Sequence, residues 1–465
     1  MERQNAGHGL ITMDGGSEAD VAVSYSAALK ADPDLAQSTY ADLVAAHQTM
    51  RLEIQGRLLC NVLRPRFIDR EHLDELTRVS RILARLLERV GEHLLECDER
   101  LGLVGASEQE RDLWSVDPGY GGLAITSRLD SFMMGNRPHF VEYNAESPAS
   151  IGFCDCLTEV FTASPAMQAW AHRGRLRRFE ARRALLDALL WAYETYGGRG
   201  KPTIGVIDWE NVLTQRDFEL CAEYFRDAGI DAIIADPRRF TYRDGKLFHG
   251  DLHVTLIYRR VLLHELLERA SEAQPVLQAY RDGAVCMVNS PRSKLLHKKA
   301  VFALLSEGRL ELEITAEEQD VLDSTIPWTR PLVDGRTLYD GAWTDLIGLV
   351  RDNRSRFALK PVDDYGGRGV VLGWETPQEA WEQSIEGALE KHYIVQERVE
   401  VPHGEFPIWR DGRLENVSML VDTDPLLFRS ELRGVLTRIS ADPLLNVSAG
   451  TGSTTPTFLV TEEEM

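Results

Sequence analysis

Between residues 201 and 289 the chain alternates short apolar runs with one amphipathic stretch, and this rhythm restricts its fold more than any other feature. Thr203-Ile-Gly-Val-Ile207 reads as a buried strand, and residues 217–228 as a helix ended by Gly229. Asp231-Ala-Ile-Ile-Ala235 reads as a second strand, and Val254-Thr-Leu-Ile-Tyr258 as a third, after a turn at Asp244-Gly245. Strand–helix–strand order of this kind predicts an open α/β sheet. No G-x-G-x-x-G follows the first strand, which disfavours a dinucleotide site.

The flanking regions differ. The first forty residues are polar and glycine-containing, and are expected to be partly disordered. From residue 40 to about 113 the pattern is helical. Leu76, Val79, Leu83, Leu86 and Val90 share one face, and Asp69 is placed to cap their helix. Strand-like alternation appears at 123–126 and at Phe140-Val-Glu-Tyr143. A further helical stretch carries Arg175, Arg177, Arg178, Arg182 and Arg183, read as a solvated face. After Arg292 the pattern gives a helix over 295–305, an irregular segment with Pro327 and Pro331, and a glycine-rich hairpin. A helix over 379–389, a strand at 393–399, a polar tail and a last strand at 457–460 complete it. Four units follow: a helical region at 1–115, a strand-bearing segment at 116–200, the α/β unit at 201–292 and a final unit at 293–465.

The net charge of -21, from 73 acidic against 52 basic residues, repels nucleic acids and anionic membranes, so neither is an expected partner. No apolar run is long enough to span a bilayer, and the N-terminal residues lack the apolar core of a signal peptide. The six cysteines form no C-x-x-C pair. A cytoplasmic location is the expectation.

Chemistry concentrates in a few places. Phe357-Ala-Leu-Lys360-Pro-Val-Asp-Asp364-Tyr-Gly366-Gly367-Arg-Gly369-Val-Val joins two apolar runs through a glycine-rich turn. Alone, such glycines serve a tight turn with positive φ. Lys360 adds an ammonium at the end of a strand, and a buried ammonium needs an anion such as phosphate. Glu142 and Asn144 are two apart on a strand, so their oxygens share a face and suit Mg²⁺; the plain alternative is polar surface. Arg128 and Asp130 share a face in the same way, as an ion pair or as a clamp for a carboxylate. Gln396 and Glu397 lie on an apolar strand that can border an adenosine. His249 and His253 are four apart, but the glycine between them argues against a helical metal site. Cys154 and Cys156 read as buried thiols.

In this order the segments resemble the circularly permuted ATP-grasp ligases, the family of glutathionylspermidine synthase and eukaryotic glutathione synthetase. Arg128-Leu-Asp130 resembles the family's R-x-D element, and Phe140-Val-Glu-Tyr-Asn-Ala-Glu-Ser-Pro-Ala its E-x-N metal strand. Residues 201–289, closing on Tyr258-Arg259-Arg260, are similar to the substrate-side α/β domain. Lys298-Lys299 resembles the first nucleotide lysine, with Lys299 the preferred match, and Lys360 the second. Tyr393-Ile-Val-Gln-Glu-Arg-Val resembles the adenine hinge, and Gly434-Val-Leu-Thr-Arg438 the late arginine strand before a small-residue loop at 448–455. The loop acid is Asp363 or Asp364 where the family usually has Glu, with Asp364 preferred. No cysteine–histidine amidase domain is present.

The resemblance implies an α/β (α+β) architecture: a circularly permuted ATP-grasp with a Rossmann-like preATP-grasp domain and a helical N-terminal region. It implies ATP and Mg²⁺ as cofactors, and joining of a small-molecule or peptide carboxylate to an amine through an acylphosphate, with release of ADP and phosphate. Glu142, Asn144 and Asp364 would hold the metal. Lys299, Lys360, Gly366, Gly367, Gly369, Gln396 and Glu397 would hold the nucleotide, and Arg128 and Arg438 would act in catalysis. A phosphotransferase and an inactive ATP-binding module are the alternatives, and the helical N-terminal region is a candidate homodimer contact.

Overall fold

The computed structural model describes residues 17–170, 175–308, 310–364, 366–442 and 452–461. The expected α/β unit is a four-stranded parallel sheet in the order Cys286–Val288, Leu256–Arg259, Thr203–Ile207, Asp231–Ala235. Helix Gln215–Asp227 crosses between its first two strands and buries Phe218, Leu220, Cys221 and Phe225. The third strand does not follow directly, as the sequence pattern had it. An antiparallel ribbon of Phe240–Arg243, Lys246–His249 and Leu252–Val254 comes first. Asp244 and Gly245 turn its first hairpin with φ of 52° and 67°, the left-handed pair that matches the twist of the flanking strands. His249 and His253 end on neighbouring ribbon strands against Phe240 and Phe248, as ring contacts rather than a metal pair.

The largest sheet has seven antiparallel strands. Its order is His403–Arg410, Arg413–Val421, Glu431–Ser440, Asp424–Phe428, Thr126–Met134, Arg137–Asn144, with Ser453–Thr455 along Glu431–Ser440. Helix Arg70–Leu95 packs into the core beside it. Asp69 caps this helix as the sequence predicts, its Oδ1 accepting the His72 N–H at 3.0 Å, and Leu76, Val79, Leu83, Leu86 and Val90 are all buried. The core around them also takes in Leu295, Leu296, Val301, Phe302, Leu129, Phe140 and Val435. Gly91 makes this contact possible, since a Cβ there would lie 2.7 Å from Leu123 and Leu296. The helical region before residue 115 is therefore continuous in packing with the sheet that follows.

A third sheet, antiparallel throughout, runs Thr329–Pro331, Tyr393–Glu397, Phe357–Pro361, Val371–Leu372. One face buries Phe357, Leu359 and Val395 under helices Leu346–Asp352 and Gln378–Leu389 through Val350, Trp381 and Ile385. By the two-residue period of strands, Lys360 and Gln396 occupy the opposite face.

Local differences from the sequence reading have physical causes. Residues expected to be partly disordered form helices Ser17–Ala31 and Pro33–Met50, because Tyr25, Leu29 and Leu43 pack on Phe67, Phe161 and Trp170. Asp32 caps the second of them, with Pro33 in its first turn. The arginine stretch is not one solvated helix: Leu176–Arg177 is a strand on Thr457–Val460, and the helix begins at Ala181. Asp155 accepts the Ala181 and Arg182 N–H groups there, and the Arg182 side chain pairs with Asp155 and Glu159. The helix expected over 295–305 is broken into Ser293–His297 and Ala300–Glu307. Lys298 is extended, and the Lys299 N–H donates to the Val362 carbonyl at 2.9 Å, drawing the chain toward the Lys360 strand.

Candidate functional site: a charged cleft between two sheets

The cleft face of the Lys360 strand meets the edge strand of the large sheet. Lys360 Nζ donates to the Val141 carbonyl at 3.3 Å and to Gln396 Oε1 at 2.6 Å. Gln396 is fixed in turn by Nε2 donating to Thr329 Oγ1. Around this junction the charges divide into two groups of opposite excess.

The acid-rich group comes from four strands of the large sheet. Across the antiparallel pair Asp130 lies opposite Glu142, and Arg128 opposite Asn144. Asn144 Nδ2 donates to Asp130 Oδ1 at 2.9 Å. Arg128 grips Asp130 through Nε at 2.7 Å and Nη2 at 3.3 Å. Arg438 reaches the same carboxylate at 2.7 Å and adds Asp422 at 2.5 Å and Asp424 at 2.9 Å. Three carboxylates thus face two guanidiniums, all largely buried. Burial opposes the ionisation of Asp130, but Arg128 and Arg438 hold its carboxyl well below the usual range. Asp424 is pushed well up, burial outweighing Arg438, with Asp422 and Asp130 adding repulsion.

The cation-rich group is Lys299 and Lys360. Lys299 Nζ lies 3.0 Å from Glu142 Oε1 and donates to the Asp364 carbonyl at 2.7 Å. Among the described residues Glu142 pairs with Lys299, and its charge, like that of Asp130, also acts on Lys360. Burial opposes its ionisation, but Lys299 in first place, with His297 and Lys360, holds it below the usual range. Burial pushes Lys360 down to about 8, with Lys299 opposing its charge and Glu142 favouring it. An ammonium depressed in this way lacks a full counter-charge, which an arriving anion would supply.

The glycine-rich loop stands beside the lysine pair. Gly366, Gly367 and Gly369 have φ of 64°, 74° and 67°. At Gly369 a Cβ would also lie 2.9 Å from Tyr393 Oη and 3.3 Å from Pro361. Of the two loop acids, Asp363 turns its side chain to Lys294 and Lys298, whereas the Asp364 carbonyl meets Lys299.

The structure thus brings Arg128, Arg438, Glu142, Asn144, Lys299, Lys360 and Gln396 to one cleft. Glu397 follows Gln396 and so takes the other face, where its carboxylate accepts from Tyr339 Oη at 2.7 Å and Arg356 Nη2 at 2.9 Å. Sequence reasoning passed over Asp422, Asp424, Glu146 and Lys294. Val-Asp422-Thr-Asp424 does carry a signal, two acids on one face of a segment flanked by apolar residues. The small-residue loop at 448–455 lies outside the described residues up to 451, and its Ser453–Thr455 pairs with the Arg438 strand.

No family model matches this chain, and no curated protein matches it. Among solved structures, a glutathione synthetase-like effector from Globodera pallida, in its apo form, is similar over 92% of this chain and 98% of its own, with a TM-score of 0.57 and 10% identity. The two share a fold. This chain is a mixed α+β protein similar in architecture to that glutathione synthetase-like protein. A candidate gamma-glutamylcysteine synthetase from Methylobacillus flagellatus aligns over 81% of this chain and 88% of its own, with a TM-score of 0.41 and 10% identity. No helix among the described residues is long and apolar enough to cross a membrane.

Proposed function

We propose that the chain is an ATP-dependent ligase joining a carboxylate to an amine, with its ATP-grasp elements in circularly permuted order. The observation that carries this is the placing of buried Lys299, paired with Glu142, near half-buried Lys360, where two sheets meet beside a glycine loop. A triphosphate supplies the missing negative charge, and glycine backbone lets its oxygens approach closely.

Glu142 and Asn144 on one strand and Asp130 opposite Glu142 on its neighbour offer hard oxygen donors, a set that fits Mg²⁺, and the Glu142 side chain keeps 21% of its surface open to water. Among the described residues, the one group of three His, Cys, Asp or Glu ligand atoms within 4.8 Å is Glu18, Asp69 and His72, remote in sequence from this cleft and already paired with Arg66. Held by Glu142, Asn144 and Asp130, the magnesium ion would supply positive charge against the phosphates.

Lys299 and Lys360 then stabilise charge on the transferred phosphoryl group, and Arg128 and Arg438 orient the carboxylate. The carboxylate oxygen displaces ADP from phosphorus, and the amine nitrogen displaces phosphate from the acyl carbon, losing a proton. The loop at 363–369 excludes water from the acylphosphate. For the amine, the best candidate is a cavity of about 360 Å³ at the C-terminal ends of Thr203–Ile207 and Asp231–Ala235, where open α/β sheets place ligands. In its lining Asp236 pairs with Arg238 and Glu210 with Arg238 and Arg239, which leaves Asp208 as the lining acid without an ion pair among the described residues.

The test is product analysis of purified protein with ATP, Mg²⁺ and panels of acids and amines. ADP and phosphate released only when both partners are present support the reading, and pyrophosphate contradicts it. A stable phosphorylated product formed without amine would instead mark a phosphotransferase.

A further inference from the structure

We propose that Asp363 anchors the glycine-rich loop, and that Lys294 and Glu146 extend this anchor to the parallel sheet, so that the substrate-side half sets the position of the loop over the lysine pair. The inference deepens the nucleotide reading and rests on it for its consequence in binding. Asp363 Oδ1 lies 2.5 Å from Lys294 Nζ, and Oδ2 lies 3.3 Å from Lys298 Nζ. Lys294 is fully buried, and its other carboxylate partner is Glu146 at 3.3 Å. Glu146 uses its second oxygen to accept from Arg259 Nη1 at 2.7 Å and from the Leu263 N–H. Arg259 is the last residue of strand Leu256–Arg259 and also donates to the Val261 and Asn289 carbonyls. A continuous path therefore runs from the loop through Asp363, Lys294 and Glu146 to the end of a parallel strand. Lys298 ties the same loop acid to Glu110 at 3.0 Å.

The charges in this group close on themselves. Asp363, Glu146 and Glu110 match Lys294, Lys298 and Arg259 one for one in charge, unlike the Lys299–Lys360 pair. Lys294 stays charged despite burial because Glu146 and Asp363 hold it above its usual range. The role is one of positioning. Gly366, Gly367 and Gly369 bring no side chain to the loop, and Asp363 stands at its entry, where a fixed point bears on all that follows.

The experiment combines hydrogen exchange over residues 366–373 in nucleotide-free protein with calorimetric binding of ADP and Mg²⁺. Variants are D363N, K294M, their combination, D363E and E146Q. The reporters include the Val370 N–H, bonded to Gly367 O, and the Gly373 N–H, bonded to Phe357 O. We expect D363N and K294M each to speed exchange there about tenfold and weaken ADP about tenfold, with the double variant no worse than the worse single. E146Q, which does not touch the loop, should also loosen it, and D363E should restore part of the protection. Unchanged loop exchange in D363N with native protection in helix Arg70–Leu95, or additive effects in the double variant, overturns the proposal. Should K294M fail to fold, D363N, at a side chain 27% exposed, still decides it. Wild-type protein that binds no nucleotide refutes the phosphate reading, while the exchange measurement still tests the anchor.

Discussion

Replacing Lys360 with methionine distinguishes a lysine kept for a ligand from one kept for the fold. Burial moves its ammonium from 10.5 down to about 8. At about 1.4 kcal/mol per pH unit this corresponds to roughly 3 kcal/mol of disfavoured charge at neutral pH, and residual solvent contact reduces it to about 2 kcal/mol. Methionine removes that penalty but leaves Gln396 Oε1 and the Val141 carbonyl without a donor, at about 1 kcal/mol each. The two effects offset, so K360M should unfold in urea within about 1 kcal/mol of wild type. Binding of ADP with Mg²⁺, measured by calorimetry, should weaken roughly ten- to hundredfold, since a charged hydrogen bond to phosphate contributes about 1.5–3 kcal/mol. The pH dependence has a definite sign. The unfolded chain keeps the Lys360 proton up to 10.5 while the native protein gives it up near 8, so the unfolded state binds more protons between those values. Wild-type stability should therefore climb relative to K360M as pH rises through that window, and the two should run parallel below it. A variant that loses 3 kcal/mol or more yet binds nucleotide as before would refute the reasoning.

Three further outcomes are expected. G369A places a side chain at φ 67° against Tyr393 and Pro361, so it should destabilise the loop by about 1–2 kcal/mol and weaken nucleotide binding, read by the same calorimetry. E18Q leaves buried Arg66 and His72 short of a charge and should lower stability by about 3 kcal/mol. Burial opposes both ionised groups, but Glu18 is net lowered by Arg66 and His72, and His72 net raised by Glu18. The Glu18 contribution is present above 4.5 and lost as pH falls; that of His72 is full below 6.5 and lost as pH rises through its raised value. The difference in melting temperature between wild type and E18Q should thus peak between 4.5 and 6.5. D208N should stabilise the protein at pH 8, because burial holds the Asp208 carboxyl near 7 despite Arg260, while slowing any amine-dependent turnover. Equal melting temperatures at pH 8 would count against it.

Strand and helix period made much of the scaffold readable from sequence. Thr203–Ile207, Asp231–Ala235 and Thr457–Val460 lie where alternation puts them, and the Asp69 cap sits one residue before its helix. Same-face spacing also brought Glu142 beside Asn144 and Arg128 beside Asp130. The remainder depended on contacts far apart in sequence. Helix Arg70–Leu95 belongs to the central core because it meets Leu296 and Val435, more than two hundred residues on. The break at Lys298 is invisible to helical periodicity, since it arises from Glu110, Asp363 and Val362 pulling the backbone out of register. Glu397 read as a cleft residue for a related reason. Its neighbour Gln396 points there, and one step along a strand reverses the side.

Strand Thr457–Val460 lies between Arg66–Ile68 on one side and Leu176–Arg177 on the other, and buries Phe458 among Phe67, Trp170 and Tyr25. A chain emerging from the ribosome makes Phe67 and Trp170 long before residue 458 exists. Tyr25, Phe67 and Trp170 can meet one another first, but strands Arg66–Ile68 and Leu176–Arg177 have no common partner until residues 457–460 are made. Loss of residues 457–460 would therefore unpair two strands that lie more than a hundred residues apart in sequence.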